Sequence, residues 1–85
     1  MSNIIIYTSA YCPYCVQAKR LLQQKNVEFI EISVDNEPEK RREMIQKSQR
    51  TTVPQIFNGD THIGDCMETI GLESEGKLDD LLASH

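Results

Sequence analysis

Eighty-five residues with 39% apolar and 26% charged content describe a chain able to bury one modest core, so residues 1–85 are read as one domain and disorder is excluded. Nine basic against thirteen acidic residues leave a net charge of −4, which excludes overall electrostatic attraction to nucleic acid or to an anionic membrane. The N-terminal run from Met1 to Tyr7 has no basic segment, and its apolar part is too short for a signal peptide or a membrane span, so the cytoplasm is the expected compartment.

The first predicted element is a buried strand, Ile4-Ile5-Ile6-Tyr7, rich in β-branched and aromatic side chains. Cys12-Pro13-Tyr14-Cys15 follows, and Cys15, Ala18, Leu21 and Leu22 then recur at helical spacing. Proline suits the first helical position, where its missing N–H is not needed, so Pro13 sets Cys12 at the N-cap and Cys15 one turn later on the same face. Val27 to Ile32 reads as a second strand. Asp35-Asn36-Glu37-Pro38 reads as the start of a helix running to about Ser48, with Met44 and Ile45 on its buried side.

Pro54 interrupts any ladder at Val53, so the third strand is expected at Gln55-Ile56-Phe57, and Asn58-Gly59-Asp60 is a hairpin turn leading to a return strand, Thr61-His62-Ile63. Asp65 followed by Glu68 has the form of a capping box. Gly71 is read as the stop of that helix, and Ser74 as the cap of a last one carrying Leu78, Leu81 and Leu82. A right-handed crossover makes the first two strands parallel, and the hairpin adds an antiparallel pair. The expected fold class is α/β, with a mixed four-stranded sheet flanked by helices.

The two cysteines form a dithiol pattern. A helix N-terminus offers unpaired N–H groups and the positive end of the dipole to a thiolate, which makes Cys12 the nucleophile. Cys15, more shielded, is the resolving thiol that attacks a mixed disulfide on Cys12. Lys19 and Arg20 add positive charge nearby, although on a helix they are ordinary solvated side chains. A Cys₃His zinc site from Cys12, Cys15, His62 and Cys66 competes with this reading. It is disfavoured, because the downstream pair straddles a strand end and a helix cap, and the residues between Cys12 and Cys15 suit a helix start better than a metal knuckle. No metal is therefore expected, His62 is read as a solvent-side hairpin residue, and Cys66 as a small, partly buried one.

Three collinear blocks resemble the glutaredoxin family, and specifically its small bacterial dithiol members. They are Tyr7-Thr8 with Cys12-Pro13-Tyr14-Cys15, then Thr52-Val53-Pro54-Gln55-Ile56-Phe57, then His62-Ile63-Gly64 with Cys66 and Gly76-Lys77-Leu78-Asp79. The resemblance implies a thioredoxin-like fold with Pro54 cis and its loop against the cysteines. It implies a glutathione-disulfide oxidoreductase of electron transport and cell redox homeostasis, with a redox-active Cys12–Cys15 disulfide, no tightly bound cofactor, and glutathione as co-substrate. Protein partners would be glutathionylated or disulfide-containing proteins, ribonucleotide reductase among them, acting on a monomer.

Glutathione-site candidates carried over are Tyr14, Thr52, Val53 and Pro54, together with Asp65, Cys66 and Met67 at the start of the third helix. The family often has Gly-Gly-Cys followed by Asp or Ser where this chain has Gly64-Asp65-Cys66-Met67, and commonly a lysine where Ser9 stands. An Asp65 carboxylate at the cap competes with glutathione for the same N–H groups, so weaker glutathione binding is expected. Arg41, Arg42 and Lys47 are candidates to supply the cation missing at Ser9. The alternative function is an iron–sulfur module in which two chains and two glutathiones ligate a cluster, disfavoured by Pro13.

Overall fold

The structure, a computed structural model, describes residues 3–83. Met1 and Ser2, on which the leader reading partly rests, lie outside the described residues. The elements run β1 (Ile4–Thr8), α1 (Pro13–Gln24), β2 (Ile30–Ser33), α2 (Pro38–Ser48), β3 (Gln55–Asn58), β4 (Thr61–Gly64), α3 (Cys66–Ser74) and α4 (Leu78–Ala83).

The strands form one sheet in the order β2-β1-β3-β4, with β1 parallel to β2 and antiparallel to β3, and β3 antiparallel to β4. This is the thioredoxin-like arrangement. Alternation along β1 divides the core between the two faces of the sheet. Ile4 and Ile6 pack with Ala18 and Leu22 of α1, Cys66 of α3 and Leu78 of α4, while Tyr7 packs on the other face with Val34, Phe57 and Met44 of α2. The Tyr7 and Phe57 rings meet edge to face, with centroids 5.7 Å apart. Both anchor the carboxyl end of β1, from which the chain enters the cysteine segment.

The strands β1, β3 and β4 each run one residue past the expected end, and two boundaries differ by more. β2 begins at Ile30, not Val27, because the end of α1 claims the intervening backbone. Asn26 turns left-handed at φ 57°, and the N–H groups of Asn26 and Val27 donate back to the carbonyls of Gln23 and Leu22 at 3.0 and 3.2 Å. An amide spent on a helix cap cannot open a strand ladder.

The other difference is Gly71, which does not stop α3. The helix runs through it to Ser74, so Ser74 ends α3 instead of capping α4. The stop is Gly76 at φ +75°, where the amides of Gly76 and Lys77 close on the carbonyls of Glu73 and Leu72 at 3.0 and 2.9 Å. This end of the helix is closed by a left-handed residue with a pair of hydrogen bonds, and of the two glycines it is Gly76 that supplies them.

Candidate active site

Tyr11, exposed and left-handed at φ 60°, turns the chain so that Cys12 enters α1 in an extended conformation at the N-cap, with Pro13 at the first helical position. The Cys12 Sγ accepts the Cys15 N–H at 3.3 Å and lies 3.9 Å from the Val53 carbonyl oxygen, to which its thiol donates. A sulfur that replaces a capping hydroxyl sits where helix amides converge on negative charge. Cys12 is partly exposed, whereas Cys15 is buried behind it. Burial, and next the hydrogen bond with Cys12, push the Cys15 thiol up to about 12, against the Ser9 amide and the Lys19 charge, which act in the opposite sense. The two thiols therefore differ in access, and Cys15 is held protonated at neutral pH.

The Val53 carbonyl meets Cys12 from a loop that holds the cis Val53–Pro54 peptide and is fastened from below. Gln55, fully buried, donates its amide to the Thr52 carbonyl at 3.0 Å and to the Thr52 hydroxyl at 3.3 Å, while its oxygen accepts from His62 Nε2 at 2.6 Å. His62 is therefore not the solvent-side residue expected. It is half-buried against the Phe57 ring, centroids 4.9 Å apart, and burial first, then the Arg50 charge, lower its pKa and keep the ring neutral. Among the described residues no three His, Cys, Asp or Glu side chains gather as a site for a metal ion, so the Cys₃His set is not assembled.

Two clefts flank Cys12. One, about 270 Å³, is lined by Tyr14, Thr52, Val53, Pro54, Asp65, Cys66 and Met67. Its floor includes the N-terminus of α3, where the first helical amides, those of Cys66 and Met67, have no acceptor within the helix. Asp65 caps that end, its carboxylate accepting the Glu68 N–H at 2.9 Å, and Glu68 returns a bond from the Asp65 N–H at 3.0 Å. Arg50 clamps the box: its guanidinium grips both Glu68 oxygens, one at 2.9 Å, and lies 3.7 Å from Asp65. Pairing with Arg50 is the main reason the Glu68 carboxyl is lowered to about 2.

The other cleft, about 240 Å³, lies toward β2 and includes Ser9, Tyr11, Cys12, Cys15, Lys19 and Glu31 in its lining. Lys19 Nζ and the Thr8 hydroxyl share Glu31 Oε2 at 3.0 and 2.7 Å, and the Thr8 bond is the main cause that lowers the Glu31 carboxyl. Ser9 is tied to Asp35 at 2.6 Å, and the Ala10 amide donates to the same carboxylate at 2.6 Å. Of the three cations considered for the Ser9 side, Arg41 faces Asp35 and Lys47 lies over the Phe57 ring at 5.4 Å.

The sequence reading did not single out Arg50 or Glu31. The signal for Glu31 lies in the β2 register, where it pairs with Ile6 and so faces α1, the helix bearing Lys19 one turn past Cys15. Arg50 had only its place just before the Thr52–Pro54 loop to mark it.

A dithiol at a helix N-terminus beside a cis-proline loop, on a thioredoxin-like sheet, defines the class of thiol–disulfide oxidoreductases. Known proteins place the chain more narrowly. The family model described as Glutaredoxin matches residues 4–63. The chain is 52% identical over 84 residues to a glutaredoxin of Pseudomonas aeruginosa, covering 99% of this chain and 100% of the relative, and 51% identical to glutaredoxin 3 of Escherichia coli, covering 96% and 99%. The solution structure of a glutaredoxin from Brucella melitensis superposes with a TM-score of 0.83 at 52% identity, covering 96% of this chain and 89% of that one. The crystal structure of a buckwheat glutaredoxin–glutathione complex gives 0.86 at 28% identity, covering 96% and 77%. The chain belongs to the glutaredoxin family.

Proposed function

We propose that this protein is a glutathione-dependent thiol–disulfide oxidoreductase that reduces both glutathione mixed disulfides and protein disulfides, with Cys12 as nucleophile and Cys15 as resolving thiol. The observation that carries the reading is the cleft beside Cys12: Tyr14, Thr52, Val53, Pro54, Asp65, Cys66 and Met67, far apart in sequence, line one groove. Backbone at Val53 offers strand-like pairing to the cysteinyl part of a tripeptide, and the α3 amides offer an anion site for its γ-glutamyl carboxylate. The buckwheat relative, whose crystal structure is of a complex with glutathione, supports the same ligand.

In the one-thiol route the Cys12 thiolate attacks the glutathione sulfur of a mixed disulfide, the protein thiolate leaves and takes up a proton, and Cys12 carries the glutathione. A second glutathione thiolate then attacks that sulfur, releasing glutathione disulfide and restoring Cys12. In the two-thiol route Cys12 attacks a protein disulfide, Cys15 displaces the protein thiolate from Cys12, and glutathione reduces the Cys12–Cys15 bond. Glutaredoxin potentials of about −200 to −230 mV allow that last step against a cytosolic glutathione pool.

The working unit in this reading is a monomeric single domain acting in the cytoplasm, with disulfide-bearing enzymes such as ribonucleotide reductase as partners. Among the described residues no helix is long and apolar enough to cross a membrane. The test is reduction of a glutathionylated peptide and of a protein disulfide, with glutathione or a flavin reductase as competing electron donors, by wild type, Cys12→Ser and Cys15→Ser. Glutathione should sustain turnover, and turnover with the flavin reductase alone would overturn the glutathione assignment.

A further inference from the structure

We propose that Lys19, anchored by Glu31 in the β2-side cleft, is a positioning residue for the resolving step: its charge stabilises the Cys15 thiolate as that sulfur attacks the mixed disulfide on Cys12. The inference rests on the two-thiol reading above and says what makes that step possible for a buried thiol.

The resolving step needs an anion where the fold disfavours one. Cys15 is 1% exposed and held protonated by burial and by its neighbour Cys12. Once Cys12 is part of a mixed disulfide it carries no negative charge, so its opposition to a second anion disappears. Burial then remains as the obstacle, and the Ser9 amide and Lys19 remain as the groups that favour the thiolate.

The titratable groups lining the cleft with Cys15 are Tyr11, Cys12, Lys19 and Glu31, and Lys19 is the cation of that set. From the α3 side, Cys66 faces Gln17 at 3.8 Å and contributes no positive charge. Glu31 holds Lys19 at 3.0 Å while the Thr8 hydroxyl fixes Glu31 from the sheet, so the ammonium is located by β1 and β2 in the cleft beside the α1 thiol. The same carboxylate also cancels part of the ammonium's field at the sulfur. The pair thus has opposed effects on Cys15, and that separates an electrostatic role from a merely structural one.

The step itself balances without a further reactant. Cys15 loses its proton to solvent in the cleft, its thiolate attacks Cys12 Sγ, the Cys12–Cys15 bond forms, and the bond from Cys12 to the outgoing sulfur breaks. The departing thiolate takes up a proton.

The experiment is stopped-flow reaction of the reduced protein with dithiobis(nitrobenzoate), which releases one coloured thiolate when Cys12 attacks and a second when Cys15 resolves. The phase that Cys15→Ser abolishes is the resolving step, followed from mildly acidic to alkaline pH. Lys19→Met should move its midpoint upward by about half to one pH unit and slow it about three- to tenfold at neutral pH. Lys19→Arg should restore it. Glu31→Gln, which keeps an acceptor for Thr8 and for Lys19 but removes the negative charge, should move the midpoint downward. An unchanged profile in Lys19→Met, or a shift of Glu31→Gln in the same direction as Lys19→Met, would overturn the proposal. Persistence of the second phase in Cys15→Ser would instead overturn the two-thiol reading. No glutathione is present, so neither result depends on the glutathione assignment.

Discussion

The two clefts beside Cys12 have comparable volumes and opposite characters. On the α3 side the walls are a cis-proline loop and a helix N-terminus, surfaces that present backbone donors and acceptors to a peptide-like ligand. On the β2 side they are charged and hydroxylic side chains already engaged with one another, Lys19 with Glu31, Thr8 with Glu31 and Ser9 with Asp35. In the proposed reading the first side receives a molecule and the second sets the protonation of a thiol. Both cysteines line the second cleft, and Cys12 alone also meets the first, through its 3.9 Å contact with the Val53 carbonyl.

Substitutions at the sulfurs break this comparison most severely. Cys12→Ser should reduce both activities to background, since neither cleft retains a sulfur able to take the first step; steady-state turnover of the glutathionylated peptide checks it. Cys15→Ser should abolish protein-disulfide reduction and spare reduction of the mixed disulfide. Loss of both activities in a folded Cys15→Ser protein would mean that the clefts do not divide the work as described.

A smaller effect sharpens the α3 side. Asp65→Gly removes a carboxylate from beside the Cys66 and Met67 amides, so the KM for glutathione should fall about two- to fivefold, in line with the strength of charge effects at helix ends. Glycine is a tolerable N-cap, so the melting temperature should drop only slightly. An unchanged KM would show that Arg50 already neutralises the box as far as glutathione is concerned.

The least effect concerns stability against acid. Pairing with Arg50, and next the Asp65 amide, lowers the Glu68 carboxyl from 4.5 to about 2 in the folded protein. A group lowered on folding contributes stability that is fully present above its unfolded pKa and is lost as the pH falls through the folded one, here between about 4.5 and 2. Glu68→Gln should therefore show a smaller difference in melting temperature between pH 6 and pH 3 than wild type. Because the pair is solvent-exposed, that difference should be small.

The β2-side cleft was the harder of the two to read from sequence. Cys12 at an N-cap follows from Pro13, and the capping box from the spacing of Asp65 and Glu68, because each rests on contacts within one turn of helix. The hairpin at Asn58-Gly59-Asp60 is equally local. The Lys19–Glu31–Thr8 cluster instead joins three elements, and it emerges only when the β1/β2 register brings Glu31 opposite Ile6. The same limit explains the half-buried His62, whose partner Gln55 lies across the hairpin, and Arg50, whose partners lie on α3. Val27 and Gly71 failed for a different reason. Each boundary was decided by which nearby residue turned left-handed, Asn26 in one case and Gly76 in the other, and both choices were compatible with the local composition.

The most direct measurement of the central claim is an amide chemical-shift map of Cys15→Ser carrying glutathione as a stable mixed disulfide on Cys12, compared with the reduced variant. The largest shifts are expected at Tyr14, Thr52, Val53, Asp65, Cys66 and Met67. Largest shifts at Ser9, Ala10, Lys19 and Glu31, with the α3 side unmoved, would place glutathione in the opposite cleft and contradict it.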